Sequence, residues 1–87
     1  MKKILKKNIL INVKYFGIIF EKTNLISEKI IIKNNDISII INQIVNKYNL
    51  NDISFQISHN FNIINLEEKL KVKDGDEIAF LPPFAGG

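Results

Sequence analysis

The sequence predicts an α+β domain: a mixed β-sheet with one main helix packed on one face and an extended C-terminal tail. Three observations carry that reading. Ile9, Ile11, Val13 and Tyr15 alternate with their neighbours at the period of two that marks a strand. Ile37, Ile40, Ile41, Ile44, Val45 and Tyr48 recur at the spacing of one helical face. The chain then closes on Phe80-Leu81-Pro82-Pro83-Phe84-Ala85-Gly86-Gly87, where consecutive prolines end sheet pairing and consecutive glycines carry no side chain.

Taken in order, Met1 to Lys7 is a lysine-rich extension that reads as a solvated arm. It is not the start of a signal peptide, because no long apolar stretch or small-residue cleavage site comes after it. Asn8 to Phe20 is patterned as the first strand. After a break across Glu21 to Ser27, the β-branched run Glu28 to Lys33 reads as a second strand, giving a hairpin with a long loop. Asn34-Asn35-Asp36 supplies turn chemistry and an N-cap at Asp36. The helix runs from Ile37 to Tyr48 and ends at Asn49, a residue suited to a left-handed terminator. Its many isoleucines lower intrinsic helix propensity, so burial must hold it. Ser54 to Ser58, with Phe55 and Ile57 on one face, is a short strand. Asn60 to Leu66 and Lys69 to Lys73 are further extended pieces, and Asp74-Gly75 is a turn. Asp76 to Leu81 is the last strand. Entering after a helix crossover, it is expected to pair in parallel with the first. The simplest packing is a roll of the β-grasp type.

Composition narrows the function classes. Eighty-seven residues make a single domain, 1–87, and 46% hydrophobic content fits a globular one. About half the chain is Ile, Lys and Asn, and Arg is absent, so a net charge of +3 does not point to nucleic acid as a partner. No apolar run approaches the ~18 residues of a membrane span. Cysteine is absent, which removes disulfides, thiolate metal sites and cysteine nucleophiles. The cytoplasm is the default location. His59 has no Asp, Cys or second His at useful spacing, so it is assigned no catalytic or metal role. With no nucleophile–base set or metal cluster, the expectation is no bound cofactor, no metal and no activity for the chain alone.

The tail, 82–87, is where chemistry concentrates. Pro82-Pro83 favours extended polyproline geometry and directs the residues after it away from the globular body. Six residues from Pro82 reach roughly 18–20 Å at about 3.3 Å each. Gly86 and Gly87 fit a narrow channel. An α-carboxyl has a pKa of about 3.3–3.7, so a terminal Gly87 is a carboxylate at neutral pH. A carboxylate is a poor electrophile and must be activated, most simply as an acyl-adenylate, before a sulfur nucleophile can attack it.

The run Lys73-Asp74-Gly75-Asp76-Glu77-Ile78-Ala79-Phe80-Leu81-Pro82-Pro83-Phe84-Ala85-Gly86-Gly87 closely resembles the end of the small subunit of molybdopterin synthase. That family is a ubiquitin-like β-grasp sulfur carrier with the pattern D-G-D-E-[apolar]-A-F-x-P-P-x-x-G-G. The resemblance extends more loosely back to Asn8, through Tyr15-Phe16, the capped helix and Asn60. Two departures are the first seven residues and a slightly longer segment from Asn60 to Asp74.

The resemblance implies that an activating enzyme of the ubiquitin E1 type uses ATP to adenylate Gly87, and that sulfur transfer gives a thiocarboxylate. The loaded Gly86-Gly87 end then enters the large catalytic subunit and gives sulfur to precursor Z, a cyclic pyranopterin monophosphate, in molybdenum cofactor biosynthesis. It implies a heterotetramer with two small subunits flanking a large-subunit dimer. Phe16, Ile63 and Leu81 map onto the family's hydrophobic contact with the large subunit, with ordinary core packing as the competing reading. Pro82, Pro83, Phe84 and Ala85 accompany the tail into that partner. Asp76 and Glu77 are either solvated acids or points read by the activating enzyme. The alternatives are a carrier for thiamine or tRNA thiolation, families that usually lack the proline pair, and a β-grasp binding module without C-terminal chemistry.

Overall fold

Ile11, Val13 and Tyr15 lie on one side of a strand and are almost fully enclosed, and the fold is organised around them. The computed structural model describes residues 8–83. The arm at 1–7 and the tail residues Phe84, Ala85, Gly86 and Gly87 lie outside the described residues. The elements are β1 (Ile9–Tyr15), α1 (Ile18–Thr23), β2 (Ser27–Ile32), α2 (Ile37–Tyr48), β3 (Gln56–His59), β4 (Asn62–Ile64) and β5 (Glu77–Leu81). They form one five-stranded sheet in the order β2-β1-β5-β3-β4. β1 pairs with β5 in parallel, matching Val13 to Ile78 and Tyr15 to Phe80, and every other pairing is antiparallel. This is the expected mixed sheet of a β-grasp fold, with the last strand in its centre.

α2 covers one face. Ile37, Ile40, Ile41 and Ile44 pack into a core with Ile11, Val13, Tyr15, Ile57, Ile78 and Phe80. Asp36 caps the helix as expected, its carboxylate accepting the Ser38 N–H at 2.9 Å, and Asn49 closes it at φ +58. Burial of the isoleucine stripe outweighs its modest helix propensity.

Three elements differ from the sequence expectation. The first strand stops at Tyr15 rather than reaching Phe20. Gly17 turns the chain at φ +60, and the unbroken apolar run Ile18-Ile19-Phe20 forms α1, which sends Ile19 into the core. The β1–β2 connection therefore contains a helix. Lys69 to Lys73 forms no strand, only one bridge between Asp36 and Lys71, with Val72 buried. The region from Asn60 to Leu66 contributes only the three residues of β4.

One polar network ties β1, β2 and α2 together. The hydroxyls of Tyr15 and Tyr48 each donate to Glu28 Oε2 at 2.6 Å, and the Lys47 ammonium stands 4.0 Å from Oε1. Partial burial alone would raise the Glu28 pKa, but the two hydroxyls and then Lys47 outweigh it and hold the carboxyl below its usual range. Burial first, then the adjacent carboxylate, pushes both tyrosine hydroxyls up. Because folding lowers the Glu28 pKa from its usual 4.5, the network's contribution is present above that value and is lost as pH falls through the folded one. Glu28→Gln is therefore expected to cost about 1 kcal/mol at neutral pH and to flatten the acid limb of the stability curve. Urea unfolding of both proteins near neutrality and in acid checks this; equal pH slopes would refute it.

Candidate functional site

The tail grows from the central strand of the sheet, paired on both sides. Phe80 is fully buried, its ring 5.6 Å from Tyr15 and 5.1 Å from Phe55, centroid to centroid. The Phe16 N–H donates to the Phe80 carbonyl at 3.1 Å, and Leu81, opposite Gln56, is the last paired residue. Pro82 and Pro83 come next without sheet partners, and neither has an N–H to donate to a ladder. Pro82 is half-buried and Pro83 exposed, so the path leaves the surface between them.

Gly17 sets that path. Its backbone sits at φ +60 and ψ −133, a combination open to glycine, and a Cβ there would stand 2.9 Å from Cγ of Pro82. The proline ring lies directly against the glycine backbone. Sequence reasoning missed Gly17; the signal for it was a glycine between an alternating strand and a non-alternating apolar run.

At its other end β5 is fastened by Asp74-Gly75-Asp76-Glu77. Leu10 donates its N–H to Asp74 Oδ1 at 2.7 Å, and Gly75, at φ +89, donates to the Leu10 carbonyl at 2.7 Å. Asp76 Oδ2 accepts the Lys73 N–H at 2.8 Å and lies 2.7 Å from His59 Nε2. Partial burial acts to raise the Asp76 pKa, but these contacts, His59 foremost, hold it below its usual value. Glu77 pairs with Lys14 at 3.1 Å. His59 thus has an acidic partner after all, seventeen positions away in the chain and brought near by the β3–β5 pairing. Its partnership fixes the turn that starts the tail strand. Asp76 and Glu77 are both occupied inside the fold.

The sheet face opposite α2 collects the three predicted contact residues. Strand register places Leu81, Ile63 and, one residue past the end of β1, Phe16 on that face, with Ala79 and Ser58 between Leu81 and Ile63. Phe16 is 43% and Ile63 50% exposed, so neither is core; Leu81 is partly buried. Phe84, Ala85, Gly86 and Gly87, also predicted site residues, lie outside the described residues. Among the described residues, no group of three or more His, Cys, Asp or Glu is placed to hold a metal ion, and no helix is long and apolar enough to cross a membrane.

Comparison with known proteins decides the family. The sequence profile of the ThiS family matches residues 13–87. The chain belongs to the ThiS family. Its fold and its relatives are those of ubiquitin-like sulfur carriers. A chain from the complex of subunits 1 and 2 of the molybdopterin-converting factor of Helicobacter pylori is 34% identical, with 91% of this chain and 100% of that one covered and a TM-score of 0.60. A putative molybdopterin-converting factor subunit 1 from Pyrococcus furiosus is 22% identical over 87% of this chain and 99% of that one, TM-score 0.71. The small archaeal modifier protein 1 of Methanosarcina acetivorans is 23% identical over 93% and 99%, TM-score 0.70. These last two share the fold. No curated protein sequence matches the chain. The match to the ThiS family includes the tail strand and everything after it.

Proposed function

We propose that this ThiS-family protein is the sulfur-carrying small subunit of a molybdopterin synthase. The observation that carries the reading is 34% identity across the whole of a chain from the Helicobacter pylori subunit 1–subunit 2 complex. The central, doubly paired β5 and the two unpaired prolines that follow it support this reading. An E1-like enzyme transfers AMP from ATP to the Gly87 carboxylate and releases pyrophosphate. A hydrosulfide-equivalent nucleophile attacks the carbonyl carbon, the C–O bond to AMP breaks, and AMP leaves a thiocarboxylate. Pro82 and Pro83 carry Gly86-Gly87 into the large catalytic subunit, while Phe16, Ile63 and Leu81 meet that subunit on the open face of the sheet. The thiocarboxylate sulfur then bonds to a carbon of a cyclic pyranopterin precursor, and water cleaves the acyl C–S bond, leaving the sulfur on the precursor and returning Gly87 to its carboxylate.

A second reading, a carrier serving thiamine or tRNA thiolation, has the same family membership in its favour. Two measurements separate the outcomes. Co-expression with an E1-like enzyme and a cysteine desulfurase should raise the intact mass by the difference between sulfur and oxygen. Deleting Gly87 should abolish that gain, and no gain with any activating partner sinks both readings. Pull-down from cells expressing the large subunit should then retain it. Loading without capture of the large subunit would leave the second reading standing in place of the first.

A further inference from the structure

The hairpin between β3 and β4 is closed by only two residues, Asn60 at φ +50 and Phe61 at φ +74. Two successive positive φ values mark a type I′ turn, whose second central position favours glycine. Asn tolerates this region, but a bulky aromatic there is a conformational outlier. Burial gives nothing back, because Phe61 is 81% exposed, more than any other large hydrophobic among the described residues. A lone exposed apolar side chain is ordinary. One that strains its backbone and leaves most of its surface in water points to a role outside the fold.

The mount under Phe61 is rigid. Asn60 donates its N–H to the Glu77 carbonyl at 2.9 Å and accepts the Glu77 N–H on Oδ1 at 2.8 Å. The contact between His59 and Asp76 braces the same turn. A pre-positioned ring loses less freedom on docking. Its place is also defined. β3 runs antiparallel to β5, with Gln56 beside Leu81 and His59 beside Ile78, so the turn stands at the end of the sheet away from the tail root. Four residues of strand separate the two, about 13 Å. Ile63, half-exposed on the open face, lies only two residues later, so Phe61 stands in the chain next to the surface proposed for the partner. Asn60 and Asn62, both exposed, supply the polar rim that surrounds an aromatic anchor in most interfaces.

We propose that Phe61 is a second anchor for the large subunit, seated in an apolar pocket of that protein while the tail occupies its active site. This rests on the molybdopterin synthase reading above. Attachment at two separated points makes tail insertion an intramolecular event once the ring is docked, and it places affinity far from the reacting carbonyl. The anchor can therefore hold the carrier whether or not its tail is loaded.

The test uses the full chain and the purified large subunit in a calorimetric titration, with Phe61→Gly as the main variant. Glycine suits the turn, so this variant should melt at a higher temperature than wild type while binding the large subunit roughly tenfold more weakly or worse. Phe61→Asn, which also tolerates positive φ, should weaken binding similarly. Variants that bind like wild type overturn the anchor alone. So does a loss confined to turnover by the activating enzyme. If the wild-type chain itself fails to bind the large subunit, the functional reading falls and the anchor with it.

Discussion

Gly17→Ala should destabilise the fold by about 2–4 kcal/mol and redirect the tail. Two penalties combine. A residue with a Cβ held at the Gly17 conformation, φ +60 and ψ −133, is strained by roughly 1–3 kcal/mol. The new Cβ would also press on the Pro82 ring at 2.9 Å, an overpacking term of about 1–3 kcal/mol if neither side gives way. Pro82 is the easier group to move, since no sheet bond holds it, so part of the clash is relieved by displacing the tail. Sulfur loading should therefore fall by more than the loss of folded protein explains. Gly17→Ala combined with Pro82→Ala separates the terms: the double variant should regain the packing part of the stability and keep the backbone strain. Chemical unfolding and intact-mass loading assays on the single and double variants check this. A Gly17→Ala protein with wild-type stability and loading would refute the view that Gly17 aims the tail.

Phe80→Ala should cost about 3–5 kcal/mol, the range for truncating a fully buried aromatic. A domain of this size is stable by on the order of 5–10 kcal/mol, so a substantial share of the molecules would unfold under mild stress. The loss concentrates at the tail root, because the Phe80 ring makes the contacts to Tyr15 and Phe55. Phe80→Leu, which keeps most of the volume, should cost about 1–2 kcal/mol. Urea midpoints give both values. A Phe80→Ala cost below about 1 kcal/mol would show that the aromatic cluster does not support the tail strand.

The parts of the fold that could be read from the chain are those in which local pattern and final environment agree. The α2 stripe, its Asp36 and Asn49 caps, and the parallel β1–β5 pairing arise from helical spacing, turn chemistry and crossover topology. α1 could not be read that way. Its residues Ile18 and Ile19 are β-branched, and only the conformation of Gly17 stops β1 from running on. The link between His59 and Asp76 was hidden for another reason: the two residues belong to different strands, and only their register brings the side chains to 2.7 Å. The sequence leaves Phe16, Ile63 and Leu81 between core and interface, and strand register places them on the face opposite α2. The role of Asp74-Gly75-Asp76-Glu77 was half legible. Its turn geometry was evident, but nothing in the sequence said that Asp74 would hold Leu10 or that Glu77 would hold Lys14.

The central position of β5 has a mechanical consequence. Under a load along the axis of β5, such as tail insertion into a partner would impose, hydrogen-bond ladders to β1 and β3 flank that strand on both sides. The bonds to β3 lie perpendicular to β5 and those to β1 slant across it, so such a load shears them together instead of opening them one after another. An edge strand pulled sideways would unzip from its end. A load applied at the C-terminal end of β5 is therefore met by both ladders at once, and the sheet stays intact.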